Sequence, residues 1–388
     1  MVKKLTFKQR VDKKFKREVF QLLYKIFSIM PIKKKKIAIL SDSRASLSDN
    51  FRFVYEELQK RDNYDYFFLL KPSVKTRKRY IEIIKLAYHI ATAKVILVDD
   101  YYPMVYPLKI RKNADLIQIW HAVGAFKTFG FSRSGKPGGP KPTSIAHKNY
   151  TKAIVSSKYV APFYAEGFGI TEDKVVATGI PRTDIFFDEQ YKENKYAEMM
   201  TKFPEFEGKH ITLYAPTFRG HGQSSAVFPQ KKLELAKIYD SLGEQDLFLI
   251  KMHPFVSKKF KIPAQYKDKI IDMTKYPSVN DLLFISDILI TDYSSVCFEY
   301  ALLNKPMIFY CFDLEEYVSS RDFYIPYEQF TPGEIVYNTE ELIDVMQKKT
   351  IDHSVDYSEF TTRFFDDLDG KSTERVADLI VSCMHERK

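Results

Sequence analysis

The sequence predicts an α/β protein built from two Rossmann-like domains facing a cleft, and three observations predict it. Short apolar runs recur along the chain, helical stretches separate them, and the alternation occurs twice with a polar stretch between. In the first series the runs lie at 37–40, 66–70, 95–98, 116–120 and 153–155, with helices around 50–60 and 75–93. In the second they lie at 211–215, 247–251, 270–273, 288–291 and 307–310, with helices over 231–241, 278–286, 294–303, 340–348 and 371–385. Strands that alternate with helices pair in parallel, and ligands of such sheets bind beyond the carboxyl ends of the strands.

Composition agrees with a folded chain of two domains. Of 388 residues, 45% are hydrophobic and 28% charged, with no low-complexity tract, which excludes a disordered chain and a fibre. Cys297, Cys311 and Cys383 stand far apart with no CxxC pair, so no disulfide framework or cysteine zinc site is expected, and a reducing cytoplasm is.

The net charge of +10 sits in one place. Residues 1–36 hold thirteen Lys and Arg against two acids, a local charge of +11, and the rest of the chain carries −1. Within that segment Val11, Phe15, Val19, Leu22, Leu23, Ile26, Phe27 and Met30 recur in steps of three and four, one stripe of a helix. The densest apolar run, 19–30, is about half the length of a bilayer span and is broken by Gln21, Lys25 and Ser28. Four lysines, 33–36, follow where a signal peptide would have its cleavage site. A basic amphipathic helix reads as an in-plane anchor on an anionic inner leaflet, where each cation contributes about 1 kcal/mol. A solvated helix packed on the protein's own body is the alternative. The neutral body gives no reason to expect nucleic acid as a partner.

These features divide the chain into a basic amphipathic membrane-association segment (1–36), a first Rossmann-like domain (37–187), a polar linker (188–209), a second Rossmann-like domain (210–370) and a C-terminal helix (371–388).

Two familiar nucleotide motifs fail. Gly130 to Lys136 resembles a phosphate loop, but Pro137 replaces the magnesium-binding hydroxyl, and the prolines and glycines at 137–140 suit a flexible loop or lid better than a helix. No GxGxxG is present. Three other clusters carry the chemistry. His121 directly follows an apolar run and precedes Gly124 and Lys127; a histidine there can take a proton from a hydroxyl, and Lys127 can hold a phosphate. His253 closes the run at 247–251 and can donate to a diphosphate oxygen. Neither histidine has a second ligand at zinc spacing, so no metal is expected. The third cluster, Thr291-Asp292-Tyr293-Ser294-Ser295, joins a strand to a helix expected from Ser294. Free N–H groups and hydroxyls there form an anion site, and Glu299 one turn on reaches a ribose diol. Helix capping by Ser294 or Asp292 explains the same residues without a ligand. Two further turns, 178–184 with Arg182 and 214–220 with Thr217 and Arg219, place an arginine after a strand, suited either to phosphate or to a structural ion pair.

In order along the chain, WHAVGAFK, TGIPRTD, YAPTFRG, KMHP and TDYSSVCFEYALLNKPMIFY resemble the CDP-glycerol glycerophosphotransferase family of wall teichoic acid synthesis, over about residues 37–370. The GAFKTFG form and the length look most like its primase branch. The resemblance implies a GT-B fold and attachment to the cytoplasmic face of the membrane. It further implies attack by an acceptor hydroxyl on the β-phosphate of CDP-glycerol with release of CMP. By that resemblance His121 is the base and His253 stabilises the diphosphate. Thr291, Ser294 and Ser295 hold phosphate, Arg219 neutralises it, Glu299 contacts the ribose, and Lys127, Arg182, Thr217 and Asp292 are further phosphate or acceptor contacts. The implied partners are CDP-glycerol or CDP-ribitol, an undecaprenyl-diphosphate-linked disaccharide and anionic lipids, with no cofactor. A polyol-phosphate polymerase, a ribitolphosphotransferase, a nucleotide-sugar glycosyltransferase and a non-catalytic membrane scaffold are the alternatives, and the sequence leaves oligomeric state open.

Overall fold

Apolar residues that β-branch or carry rings fill the strands, and the strands build two separate parallel sheets. The structure, a computed structural model, describes residues 7–386 except His121, Gly138, residues 221–224, Lys259 and residues 352–353. The chain divides into two units: Ile185–Arg363, and the chain up to Asp184 together with Phe364–Lys388.

The first unit holds α1 (Phe7–Phe27), β1 (Lys33–Ser41), α2 (Asp49–Arg61), β2 (Asp65–Leu70), α3 (Tyr80–Thr92), β3 (Ala93–Val98), β4 (Asp115–Gln118), β5 (Lys152–Val155), α4 (Ala161–Phe168) and β6 (Val175–Ala177). Its sheet runs β2-β1-β3-β4-β5-β6, every pair parallel. β1 and β3 are buried on both faces, which is why both read as unbroken apolar runs. β6 has only three residues, too few for the pattern to announce it.

The basic segment is part of this unit. Lys33 to Lys36 open β1. Lys36 is buried, with Nζ 2.8 Å from Thr92 Oγ1 and 4.5 Å from the Tyr88 ring centre, and burial lowers its pKa to about 8. α1 packs on α3 through Phe20, Tyr24 and Phe27; Phe27 meets Tyr88 edge-on with ring centres 5.6 Å apart, and Tyr80 Oη donates to Asp12 at 2.8 Å. The expected single stripe is therefore two. One strip is inside, while Val11, Phe15, Leu22, Ile26, Ile29 and Met30 form a second, exposed one. The loop after Phe129 is not the free lid expected: Gly130–Arg133 is a 3₁₀ turn, and buried Arg133 donates to the Pro137 carbonyl at 2.8 Å.

The second unit holds α5 (Glu189–Lys202), β7 (His210–Tyr214), α6 (Leu235–Ser241), β8 (Asp246–Ile250), β9 (Ile270–Asp272), α7 (Val279–Ile285), β10 (Ile288–Thr291), α8 (Val296–Ala301), β11 (Met307–Tyr310), α9 (Leu314–Arg321), α10 (Tyr327–Phe330), β12 (Glu334–Val336), α11 (Thr339–Ile351) and α12 (Ser358–Phe364), the last crossing its boundary. Its sheet, β12-β11-β10-β7-β8-β9, is also all parallel. Tyr214, Phe248, Ile250, Ile288, Ile290 and Ile308 form the centre of its core. Residues 188–209, read as a linker because they are polar, instead hold α5. Asp188 caps it by accepting from the Tyr191 N–H at 2.9 Å, and it packs on α7.

The C-terminal helix α13 (Ser372–His385) belongs to the first unit. It buries Val376, Ala377, Ile380 and Cys383 against α2 and β3. Its first amides donate to Asp184, Ser372 N at 2.9 Å and Thr373 N at 2.7 Å, and Arg375 Nε donates to the Thr178 carbonyl at 2.8 Å. Gly179 lies between them at φ +79°, where a Cβ would stand 2.2 Å from Ser372 Oγ, so only glycine fits this crossing. Ile380→Ala should lower stability by about 2–4 kcal/mol in urea unfolding followed on the first unit, where an appended helix would lose almost nothing.

Candidate active site

Parallel strands end together, so the loops after β1, β3, β4 and β6 share one edge of the first sheet. The loop after β4 carries Trp120, and the His121 of the sequence reading lies outside the described residues. What surrounds it is described. Ser156 Oγ accepts from the Gly124 N–H at 3.2 Å and Tyr164 Oη donates to the Gly124 carbonyl at 3.1 Å, so two neighbouring elements fix the turn. Lys127 is half-buried with Nζ 5.2 Å from the Phe126 ring centre.

The sequence reading missed two groups at this edge. Asn50, 2% exposed at the start of α2, donates from Nδ2 to the Trp120 carbonyl at 2.8 Å and accepts at Oδ1 from the Arg182 N–H at 3.0 Å. One side-chain amide thus joins the peptide before His121 to the loop after β6. It uses Arg182 through its backbone rather than through its guanidinium. Asp99 follows β3 and is buried; Arg44 Nε donates to its Oδ2 at 2.6 Å, while Oδ1 has no hydrogen-bond partner. Burial raises its pKa to about 6 against the pull of Arg44. Its signal was the position itself, an acid directly after the run at 95–98. Asn50 gave none, because its two partners lie 70 and 132 residues away.

In the second unit the loops after β7, β8, β10 and β11 share an edge in the same way. Thr217 N donates to Asp292 Oδ1 at 2.7 Å and Arg219 Nη1 to Asp292 Oδ2 at 2.9 Å. Arg219 also grips Asp313 with two parallel bonds, Nε–Oδ2 at 2.5 Å and Nη2–Oδ1 at 2.8 Å. Burial alone would weaken its hold on its proton, but the two carboxylates outweigh that and raise its pKa above the ordinary arginine value. The structural ion pair foreseen for such an arginine is what forms. Its charge is balanced within the protein, and Asp313, one turn past β11, is a partner the sequence reading did not reach. Thr291 is likewise turned inward: its hydroxyl donates to the Ala215 carbonyl at 2.8 Å.

Ser294 and Ser295 remain half-buried at the start of α8, which begins at Val296 rather than Ser294; Ser294 Oγ accepts from the Val296 N–H at 3.5 Å, a weak cap. Glu299 is buried in α8. His253 is half-buried after β8, its ring centre 4.8 Å from that of Phe218 and 4.7 Å from that of Phe255. Its Nδ1 accepts from the Phe255 N–H at 3.1 Å, which leaves the proton of the neutral ring on Nε2 and makes that atom a hydrogen-bond donor. Lys251 beside it donates to the carbonyls of Thr274, at 3.0 Å, and Tyr276, and so braces the loop. Among the described residues no three His, Cys, Asp or Glu side chains come together as a metal site would require.

Two parallel six-stranded sheets, each carrying its functional loops on one edge, define a GT-B-like α/β protein. The chain belongs to the CDP-Glycerol:Poly(glycerophosphate) glycerophosphotransferase family, whose pattern matches residues 22–382. It is 50% identical over 373 residues to the teichoic acid poly(ribitol-phosphate) polymerase of Bacillus spizizenii, covering 96% of this chain and 60% of that one. It is 40% identical over 379 residues to the teichoic acid ribitol-phosphate primase of the same organism, covering 94% of this chain and 95% of the primase. The solved structure of the wall teichoic acid polymerase TagF soaked with CDPG superposes with a TM-score of 0.77 at 24% identity, over 95% of this chain and 93% of that one. This chain therefore spans about three fifths of the length of the polymerase it resembles.

Asn50→Asp keeps the acceptor toward Arg182 but sets a carboxylate oxygen against the Trp120 carbonyl. In the transfer reaction proposed below, turnover should fall ten- to a hundredfold with little change in KM for the donor, as read by nucleotide release. Asp99 gives a pH effect of definite sign. An unfolded aspartate ionises near 3.8 while the folded one keeps its proton to about 6, so rising pH across that window favours the unfolded chain. Asp99→Asn should remove up to about 3 kcal/mol of that decline, measured by urea unfolding at acid and neutral pH.

Proposed function

We propose that the protein transfers a polyol phosphate, ribitol phosphate in the first instance, from a CDP-polyol to a hydroxyl of a lipid-linked teichoic acid acceptor. The observation that carries the chemistry is His253, whose Nδ1 is engaged by the backbone so that Nε2 donates at the edge that also holds Ser294 and Ser295. Donors aimed at a diphosphate stabilise the charge that develops on its oxygens. The acceptor oxygen attacks the β-phosphorus, a new P–O bond forms, and the bond to the bridging oxygen breaks with CMP as leaving group. The acceptor's proton goes to His121 in this reading. Arg219 acts at one remove: it holds Asp292, and Asp292 holds the Thr217 amide. Glu299 contributes the ribose contact, and Lys127 serves the acceptor side.

Ribitol, rather than the glycerol expected from sequence, is favoured by the names of the two relatives at 50% and 40% identity. The name of the relative at 40% identity supports a single addition, and that of the relative at 50% a polymerase. Peripheral attachment to the cytoplasmic face is supported by the exposed strip of α1, flanked by exposed Lys14, Arg17 and Lys25. No helix of the described residues is long and apolar enough to cross a membrane.

The test is the mass of the product formed from CDP-ribitol or CDP-glycerol and the lipid-linked disaccharide. One ribitol phosphate supports the reading, a ladder makes the chain a polymerase, and a glycerol increment moves the donor. Nucleotide release from a UDP-sugar alone would replace the reading with a glycosyltransferase. His253→Ala should cut CMP release by about a hundred- to a thousandfold, and an unchanged rate would remove His253 from the mechanism.

A further inference from the structure

The opposite edge of the first sheet, where its strands begin, carries a cleft of about 440 Å3. Lys109, Lys152 and Lys174 line it, together with Asn149 and a single acid, Asp173. Lys152 opens β5 and Lys174 immediately precedes β6, so the parallel pairing of these strands brings the two lysines to adjacent strand starts, and both line the cleft. Among the described residues none of the three lysines is in an ion pair, so their charges are not offset by a bound carboxylate. Asn149 spends its Nδ2 on the Val105 and Leu108 carbonyls, at 2.7 and 3.2 Å, and fixes the wall that carries Lys109. Its Oδ1 has no partner. Three cations held around one concavity with one carboxylate attract an anion.

The position of the cleft selects the anion. Tyr24 Oη, on α1, donates to the Lys109 carbonyl at 3.0 Å, and Arg111 Nη1 donates to the Met30 carbonyl at 2.8 Å. These bonds pin the lysine wall to the end of the exposed apolar strip, where Ile26, Ile29 and Met30 face outward. A ligand with apolar chains and a phosphate a few ångströms above them meets both features at once, while a soluble phosphate uses only one. Resting on the peripheral-membrane reading above, we propose that this cleft binds the phosphate headgroup of an anionic phospholipid. It thereby adds a defined headgroup site to the attachment made by α1.

The test is co-sedimentation of the full chain with phosphatidylcholine vesicles with and without phosphatidylglycerol. The wild type, the triple variant Lys109→Gln, Lys152→Gln, Lys174→Gln, and a charge-matched control, Lys231→Gln, Lys267→Gln, Lys348→Gln, are compared. The cleft variant should lose on the order of 100-fold in affinity for phosphatidylglycerol vesicles at low salt, and the control a few-fold at most. Its weak binding to neutral vesicles through α1, and its circular dichroism, should be unchanged. Equal losses in the two triple variants would reduce the effect to diffuse charge and overturn the site. Binding by the wild type with no loss in the cleft variant overturns the site alone, and a wild type that binds neither vesicle overturns the membrane reading itself. Displacement of the vesicles by millimolar glycerol phosphate would make the ligand a soluble phosphate and overturn the lipid assignment.

Discussion

A guanidinium buried between two carboxylates organises the edge of the second sheet. Arg219, Asp292 and Asp313 each leave the end of a different strand, β7, β10 and β11. Any one of these charges alone would be costly away from water, and removing Arg219 would leave two carboxylates uncompensated. The triad therefore fixes three loops together, and Tyr293, Phe312 and Tyr317 close around the cation with ring centres 5.0 to 5.1 Å away. Tyr293 Oη adds a bond to Asp313 at 3.1 Å and Tyr327 Oη one to the Asp292 carbonyl at 2.9 Å. With the arginine committed, the anion-binding capacity left at this edge lies in His253, the serine hydroxyls and backbone amides.

The first unit pairs its edge charges separately, Lys78 with Asp42 after β1 and Arg44 with Asp99 after β3, and adds neutral ties. Asn50 ties two loops through neutral hydrogen bonds, and Asp184 ties the second of them to α13. Beneath them, Gln118 Nε2 donates to Tyr150 Oη at 2.8 Å, and His147 Nδ1 stands 2.9 Å from the same hydroxyl. Burial lowers the His147 pKa to about 4, so this histidine is neutral at physiological pH and can share the hydroxyl as acceptor. The edge of the first sheet thus combines separate ion pairs with neutral hydrogen bonds, and that of the second is built around one charged triad.

The two sheets were legible in the sequence because a strand buried on both faces must be apolar throughout. Ten of the twelve strands carried an apolar run, unbroken where both faces are buried as in β3 and β10, and β6 and β12 did not stand out. The clusters bearing chemistry were legible for a related reason: polar residues directly after apolar runs have to sit at the strand ends. Partnership was not legible. Nothing local says that Arg219 will meet an acid 94 residues later, that Asp184 will cap a helix 188 residues on, or that α1 carries two apolar strips rather than one. A periodicity counts apolar positions on a helix but cannot say how many neighbours will cover them. Polar residues 188–209 misled in the opposite sense, because a helix on the surface needs only one thin buried line.

The return of α13 sets an order of assembly on the ribosome. The second unit, residues 185–363, is contiguous and can complete its sheet while the chain is still being extended. The first unit is synthesised earlier but cannot bury β3 and α2 fully until residues 372–385 have emerged. α2 and the buried face of β3 are thus exposed in the nascent chain longest, while α1 can already pack on α3.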